Sequence, residues 1–282
     1  MSATSIMARG REVSVYDSSR RGSPVVEEAR ALWSYRALVY ELVIRDIKVR
    51  YKRSVLGVFW TMLAPLLNMV ALTLVFSTIL KQQIRNYPVF FMTGAILWSY
   101  FSQSTSAAAS LTQDSNELAK RIYIPRSVFV ASAIGGGLVN LVLSIVPLLL
   151  ILVATGFPLY KTWYFLPVPV FMVTMFSAGV GFLLFTLASR FTDIREMYLV
   201  FVQTWFFLTP IVYHPSIVPA KFRLILWLNP MYYLLQTFRR PIYDGLLPSP
   251  ALLAASLALS VVTLITGWVY FCHRAEQFAF RT

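Results

Sequence analysis

The chain has 282 residues, of which 57% are hydrophobic and only 13% charged. A soluble domain carries roughly 25% charged residues, so most of this chain need not face water. Its net charge of +13 would suit nucleic acid, but in so apolar a chain cytoplasmic anchoring and anionic lipid headgroups are the simpler explanation. The single Cys272 excludes an intrachain disulfide. Residues 1–28 are polar and rich in Ser, Arg and Glu, and they lack the compact apolar core of a signal peptide. That composition predicts a disordered cytoplasmic tail.

From residue 31 a helical stripe begins. Leu32, Tyr35, Val39, Leu42 and Val43 share one face, with Arg30, Arg36, Glu41 and Arg45 off it or at its border. The spacing predicts an amphipathic helix in the headgroup plane, placed over 31–53. The stripe fails after Asp46, where charges enter it and the chain turns to cross the membrane. Arg45, Lys48, Arg50, Lys52 and Arg53 then form a collar at the foot of a segment uncharged until Lys81.

Apolar windows predict six spans, near 58–80, 88–112, 127–154, 163–189, 197–213 and 250–272. About 20 such residues cross about 30 Å of hydrocarbon at 1.5 Å per residue. In the second span, residues 102–110 (SQSTSAAAS) are small and polar, which predicts a face turned to protein rather than lipid. Gly135, Gly136 and Gly137 are read as a packing surface, with a hinge as the alternative. Between spans five and six, residues 214–248 are too apolar for an exposed loop, and five prolines forbid one long helix. Two short helices near 219–228 and 231–240, broken at Asn229–Pro230, fit better, as a partly re-entrant pair on the outer side. With the N-terminus inside, the cytoplasmic side holds 18 of the 25 Lys and Arg residues. That bias places both termini in the cytoplasm, in a multi-pass protein of the cell (inner or plasma) membrane. The fold class is all-α integral membrane.

Several chemistries are missing from the sequence. None of the twelve acids lies inside a predicted span, whereas ion-coupled carriers keep ionisable groups there. His214 and His273 fall on opposite faces in this topology, so no metal site is expected. No P-loop motif is present, so energy for any work comes from another subunit. Aromatic residues at Tyr87, Trp163, Tyr164, Trp227 and Tyr232 fit an interfacial belt. Phe59, Trp60, Trp98, Tyr100, Phe101, Trp205, Phe206 and Phe207 lie inside spans. A ring-lined pore would hold sugar C–H faces weakly enough for a polymer to slide, and Trp98 and Trp205 are its first candidates.

Four stretches carry a family likeness. RDIKVRYKRSVLGVFWTMLAPLL (45–67) resembles the opening signature of ABC-2 type exporter permeases, closest to the branch exporting lipid-linked polysaccharides such as O-antigen, capsule, teichoic acid and galactan. NELAKRIYIPRSVF (116–129) is similar to that family's cytoplasmic loop, FTDIREMYLVFVQTWFFLTPIVY (191–213) to its entry into span five, and LNPMYYLLQTFRRPIYDG (228–245) to its outer re-entrant segment. The likeness runs from about residue 30 to 275.

The resemblance implies a homodimer docked on two copies of a cytoplasmic ATPase, which would hold ATP and Mg; this chain would bind no cofactor. It also implies an outer gate between spans five and six, with Asn229, Pro230, Tyr232, Arg239 and Arg240 as its candidates. The collar, Arg45 to Arg53 with Asp46, serves topology and is also a candidate ATPase-docking surface. An Asp46–Arg50 pair would stabilise it by about 0.2–0.5 kcal/mol. The 113–126 loop, with Asp114, Asn116, Glu117, Lys120, Arg121, Pro125 and Arg126, is either a solvated connector or the coupling helix that transmits nucleotide-driven closure, ended by Pro125. The alternatives are an exporter of a drug or small lipid, a membrane scaffold, or a membrane-bound enzyme, the last disfavoured by the missing acids.

Overall fold

Prolines and glycines punctuate this chain, and the structure follows them. A computed structural model describes residues 23–52, 59–79, 84–119 and 124–279, and among these every regular element is helical. In chain order they are α1 (Pro24–Ser34), α2 (Arg36–Tyr51), α3 (Phe59–Thr73, continued by a π-helical turn Leu74–Ile79), α4 (Tyr87–Ala119) and α5 (Arg126–Ala154). A 3-10 turn (Lys161–Phe165) leads into α6 (Pro167–Ala188), followed by α7 (Ile194–Leu208), α8 (Arg223–Leu228), α9 (Pro230–Arg239) and α10 (Pro250–Ala279). Pro24, Pro167, Pro230 and Pro250 each open a helix, where a missing N–H costs nothing. Gly156, at φ 63°, follows the last residue of α5's cap and turns the chain away.

α4 is the central helix, packed on α3, α5, α6, α7 and α9. Its Phe90, Met92, Ile96, Leu97 and Phe101 are fully buried. The small polar stretch behaves as its composition predicts: Ser104, Thr105, Ala108 and Ala109 are buried against neighbouring helices. Gly137 of α5 meets it there, and a Cβ on Gly137 would overlap the Ser104 hydroxyl. α5 runs unbroken through the three glycines, so packing describes Gly137. α6 and α10 cross still more closely. A Cβ on Gly179 would strike the Thr263 backbone, and one on Gly267 the backbone of Gly179. Without a hydrophobic force between helices in lipid, such small-residue contacts are what lets them associate.

Among the described residues, three helical segments are long and apolar enough to cross a membrane: Arg126–Ala154, Lys161–Ala188 and Pro250–Arg274. The described residues of the first and second windows lie in α3 with its π turn and in α4, and the fifth window is helical as far as Leu208 in α7.

Four boundaries differ from expectation. The N-terminal tail was expected to be unstructured to residue 28, yet α1 starts at Pro24, whose fixed φ suits a first turn. The single interfacial helix is two, bent at Tyr35, and α2 stays helical to Tyr51 despite its charges. α4 does not end near 112 but continues to Ala119, so Asp114, Asn116 and Glu117 extend the same helix rather than form a separate one, because nothing between Ser104 and Ala119 breaks it. α7 stops at Leu208, short of 213: Thr209 precedes Pro210 and is forced extended, at ψ 133°.

Candidate functional site

The extended backbone after α7 strands carbonyls that a helix would have satisfied. Arg239, at the end of α9 and only 2% exposed, satisfies them. Its Nη1 donates to Pro210 O at 2.8 Å and its Nη2 to Ile211 O at 3.3 Å. Its Nε donates to the Thr93 hydroxyl of α4 at 3.3 Å, and the guanidinium lies 3.9 Å from the centroid of the Phe90 ring. Gly94 makes room for it, since a Cβ there would stand 2.5 Å from Nη2. One buried cation thus joins α4, the unwound end of α7 and α9. Tyr87, opening α4, adds a bond from its hydroxyl to Val212 O at 2.9 Å.

Asn229 is the second junction. Its Oδ1 accepts from Met231 N at 3.0 Å, capping α9, and from Trp205 Nε1 at 2.9 Å. Its Nδ2 donates to the Thr209 hydroxyl at 2.9 Å and to Leu208 O at 3.3 Å. The break foreseen at Asn229–Pro230 is therefore present, and two short helices flank it. Tyr232 is half-buried, edge-on to Tyr233 at 5.4 Å between ring centroids; Pro230 and Arg240 are also half-buried. Below them, His214 Nδ1 accepts from Ser216 N at 3.3 Å and contacts the Ser216 hydroxyl at 2.7 Å. Desolvation, then the charge of Arg239, hold the imidazole below its ordinary range, with Asp244 pulling the other way. Burial raises the Asp244 carboxyl, against Arg240, Arg239 and His214.

The candidate pore rings fall into two groups. Trp98, Tyr100 and Phe101 are buried inside the protomer, so their faces are taken by neighbours: Trp98 lies edge-on to Trp205 at 5.8 Å, Phe101 to Trp205 at 5.3 Å, and the Tyr100 hydroxyl bonds Thr174. A ring enclosed in this way presents no face to a channel wall, since its own helices fill the space. Trp205 and Phe206 are half-buried at the edge of the cluster. Phe201 and Phe207 of the same helix are 55% and 68% exposed. Together with Met197, Val200 and Leu208 they make an exposed apolar stripe at helical spacing along α7. The side chains of Phe59 and Trp60 lie outside those described.

α4 is about 50 Å long over its 33 residues, and the charged set of α2 lies toward its other end, where Leu111 and the start of α5 pack on α2. Arg45 pairs with its neighbour Asp46 at 2.9 Å; the expected Asp46–Arg50 pair falls on Arg50, whose side chain lies outside those described. Arg45, Lys48 and Lys52 line a cleft of about 600 Å³ with Glu41, Ile44 and Val49. Leu42 anchors α2 on Val128 and Phe129 at the start of α5, and the Ser127 hydroxyl donates to Glu28 of α1 at 2.6 Å. α1 and α2 are thus fastened to the first turn of α5, where Pro125 is buried and Arg126 half-buried. The side chains of Arg50, Asp114, Asn116 and Glu117, and all of Arg53, Lys120 and Arg121, lie outside those described. Among the described residues no group of His, Cys, Asp and Glu is placed to hold a metal.

Sequence reasoning missed Thr93, Phe90 and Thr209. Thr93 is 146 residues from Arg239, and nothing local marks it as a partner. Thr209 carried a signal, the pre-proline position, that was available.

A family model for ABC-2 type transporters matches residues 37–243. Among curated relatives, an O-antigen export system permease protein RfbA of Myxococcus xanthus is 33% identical over 90% of this chain and 99% of its own length. One of the same name from Klebsiella pneumoniae is 28% identical over 74% of this chain and 82% of its own. The polysialic acid transport protein KpsM of Escherichia coli is 20% identical over 86% and 95%.

Proposed function

Because the chain belongs to the ABC-2 type transporter family, we propose that it is the channel-forming subunit of an ATP-driven exporter moving a lipid-linked polysaccharide from the cytoplasmic to the outer side of the membrane. The observation that carries this reading is the end-to-end correspondence with a permease named for O-antigen export, over 99% of that protein's length. A permease named for polysialic acid transport supports the same substrate class.

In this reading the six apolar helices cross the membrane, both termini are cytoplasmic, and 209–248 forms the outer re-entrant gate. Two copies of the chain face one another across the substrate path. The exposed apolar stripe of α7 supports a partner surface there, with Trp205, Phe206 and the nearby Phe201 and Phe207 as the rings nearest the path. Two copies of an ATPase, carrying ATP and Mg, dock at the α2 cleft, where Arg45, Lys48 and Lys52 suit an acidic groove. Closure of the ATPases presses the extended end of α4, and α4 carries the displacement. Its other end is bonded to Arg239 and so to the gate. A rigid helix fastened at both ends is the physical basis for coupling sites so far apart.

The test is co-purification. Arg45→Glu with Lys48→Glu should strip the ATPase from the complex and abolish surface polysaccharide, while the permease still reaches the membrane. Full complex yield and export from that variant would retire the docking assignment.

A further inference from the structure

Between the N-terminal helices and the bundle lies an apolar groove of about 650 Å³ that the export reading leaves unused. Its floor is α5, α6 and α10, represented by Ile134, Phe182, Leu264 and Trp268, with Ala131 beside Ile134; its lid is α1 and α2, with Trp33 and Arg36 at the mouth. The volume is within the range of ligand sites, roughly 300–1,000 Å³. Among the described residues those three floor helices are the ones long and apolar enough to cross a membrane, so the groove opens into hydrocarbon and its natural occupant is a lipid chain.

The mouth has the complementary charge. Arg36 uses one of its five donors on Trp33 O, at 3.3 Å, and stacks 5.3 Å from the Trp33 ring centroid. Arg36 is exposed, so its remaining donors are open to a ligand. Trp33 is itself 71% exposed, an amphipathic ring at the headgroup level. The Ser127–Glu28 bond and the Leu42 anchor fix the lid at its two ends, leaving the groove between them open.

We propose that this groove is a resident phospholipid site: one acyl chain of an anionic phospholipid of the cytoplasmic leaflet fills it, and the phosphate binds Arg36. The lipid wedges the amphipathic lid against α5, α6 and α10. This rests on the orientation given above, with α1 and α2 at the cytoplasmic headgroups.

The experiment reconstitutes the full chain in phosphatidylcholine vesicles doped with a phosphatidylglycerol bearing a photoreactive group on one acyl chain. Label is expected to concentrate at Ile134, Leu264 and Trp268 over Phe171 and Val262, which are exposed elsewhere on α6 and α10. Ala131→Trp, and the milder Ala131→Leu, should cut groove labelling while leaving Val262 labelling intact, which also certifies the fold. Arg36→Gln should lower phosphatidylglycerol labelling about fivefold and leave labelling by a phosphatidylcholine probe with the same chains unchanged. Label spread evenly over Phe171 and Val262 would mean ordinary lipid contact and overturn the site. So would labelling indifferent to Ala131. Displacement of the probe by polyprenyl phosphate would make the occupant a substrate tail and overturn the phospholipid assignment. Ser23→Cys in a Cys272→Ser background, probed with a membrane-impermeant maleimide, reads the orientation of α1 separately, so a wrong orientation and a wrong occupant give different results.

Discussion

The indole N–H of Trp205 donates to Asn229 Oδ1 at 2.9 Å, the same atom that caps α9 through Met231 N. The last turn of α7 and the first turn of α9 therefore share one acceptor. Trp205→Phe keeps a ring in the cluster but removes the donor, and should lower stability by about 1 kcal/mol. Asn229→Ala also removes the cap and the bonds to Thr209 and Leu208, and should cost about 1–3 kcal/mol. Thermal unfolding in detergent reads both. Export should fall in each, with assembly retained. Equal stability of the two variants would show that the junction is not shared.

Arg239 should be less replaceable still. Arg239→Leu leaves Thr93 and the Pro210 and Ile211 carbonyls buried without their donor, a loss of about 1–3 kcal/mol for each unsatisfied group. Arg239→Lys keeps a charge but not the planar fork that reaches three acceptors at once. Both should reduce purified yield, and a lysine variant with wild-type melting and export would contradict the three-way joint.

How much of this was legible beforehand depends on the range of the cause. The Asn229–Pro230 break and the small-residue face of α4 are local patterns, and both are present; of the six apolar windows, three coincide with helices long and apolar enough to cross a membrane among the described residues. The end of α7 was misplaced by five residues because hydropathy continues through Thr209–Tyr213 while the Thr209–Pro210 geometry does not. Arg239 was singled out, but only the fold reveals that it points inward: its partners come from 28 to 146 residues away. Trp98, Tyr100 and Phe101 fit a pore by composition, and burial depends on which face of α4 meets α6 and α7, which the largely apolar stretch around these rings does not encode.

Close helix crossings give a graded test. Gly179→Ala and Gly267→Ala each push a methyl into the opposing backbone, which has no rotamer to relieve the overlap, and should cost about 1–3 kcal/mol. Gly136→Ala meets nothing within 4 Å and should be neutral or stabilising by about 0.4–1 kcal/mol. Parallel melts of the three variants check the order; a destabilised Gly136→Ala with an unaffected Gly179→Ala would contradict the packing.

The turn at His214 should respond to acid. Its imidazole is held below its ordinary value of 6.5, and Nδ1 must stay unprotonated to accept from Ser216 N. The neutral form is thus favoured in the fold, and the unfolded turn binds more protons just below pH 6.5. Stability from this group is present above 6.5 and is lost as pH falls through the folded value. Proteolysis within 214–222 should accelerate on acidification through that window, and His214→Gln should remove the response. A wild-type rate independent of pH over that window would refute it.

The central claim is that this chain is a conduit without an engine, moved by force delivered at its cytoplasmic end. It is tested most directly by measuring polysaccharide entry into the lumen of proteoliposomes whose cytoplasmic faces point outward. Transport is expected only when the partner ATPase and ATP are supplied outside, and is expected to stop when ATP is replaced by a non-hydrolysable analogue. Net movement of the polymer by the permease alone would contradict the account.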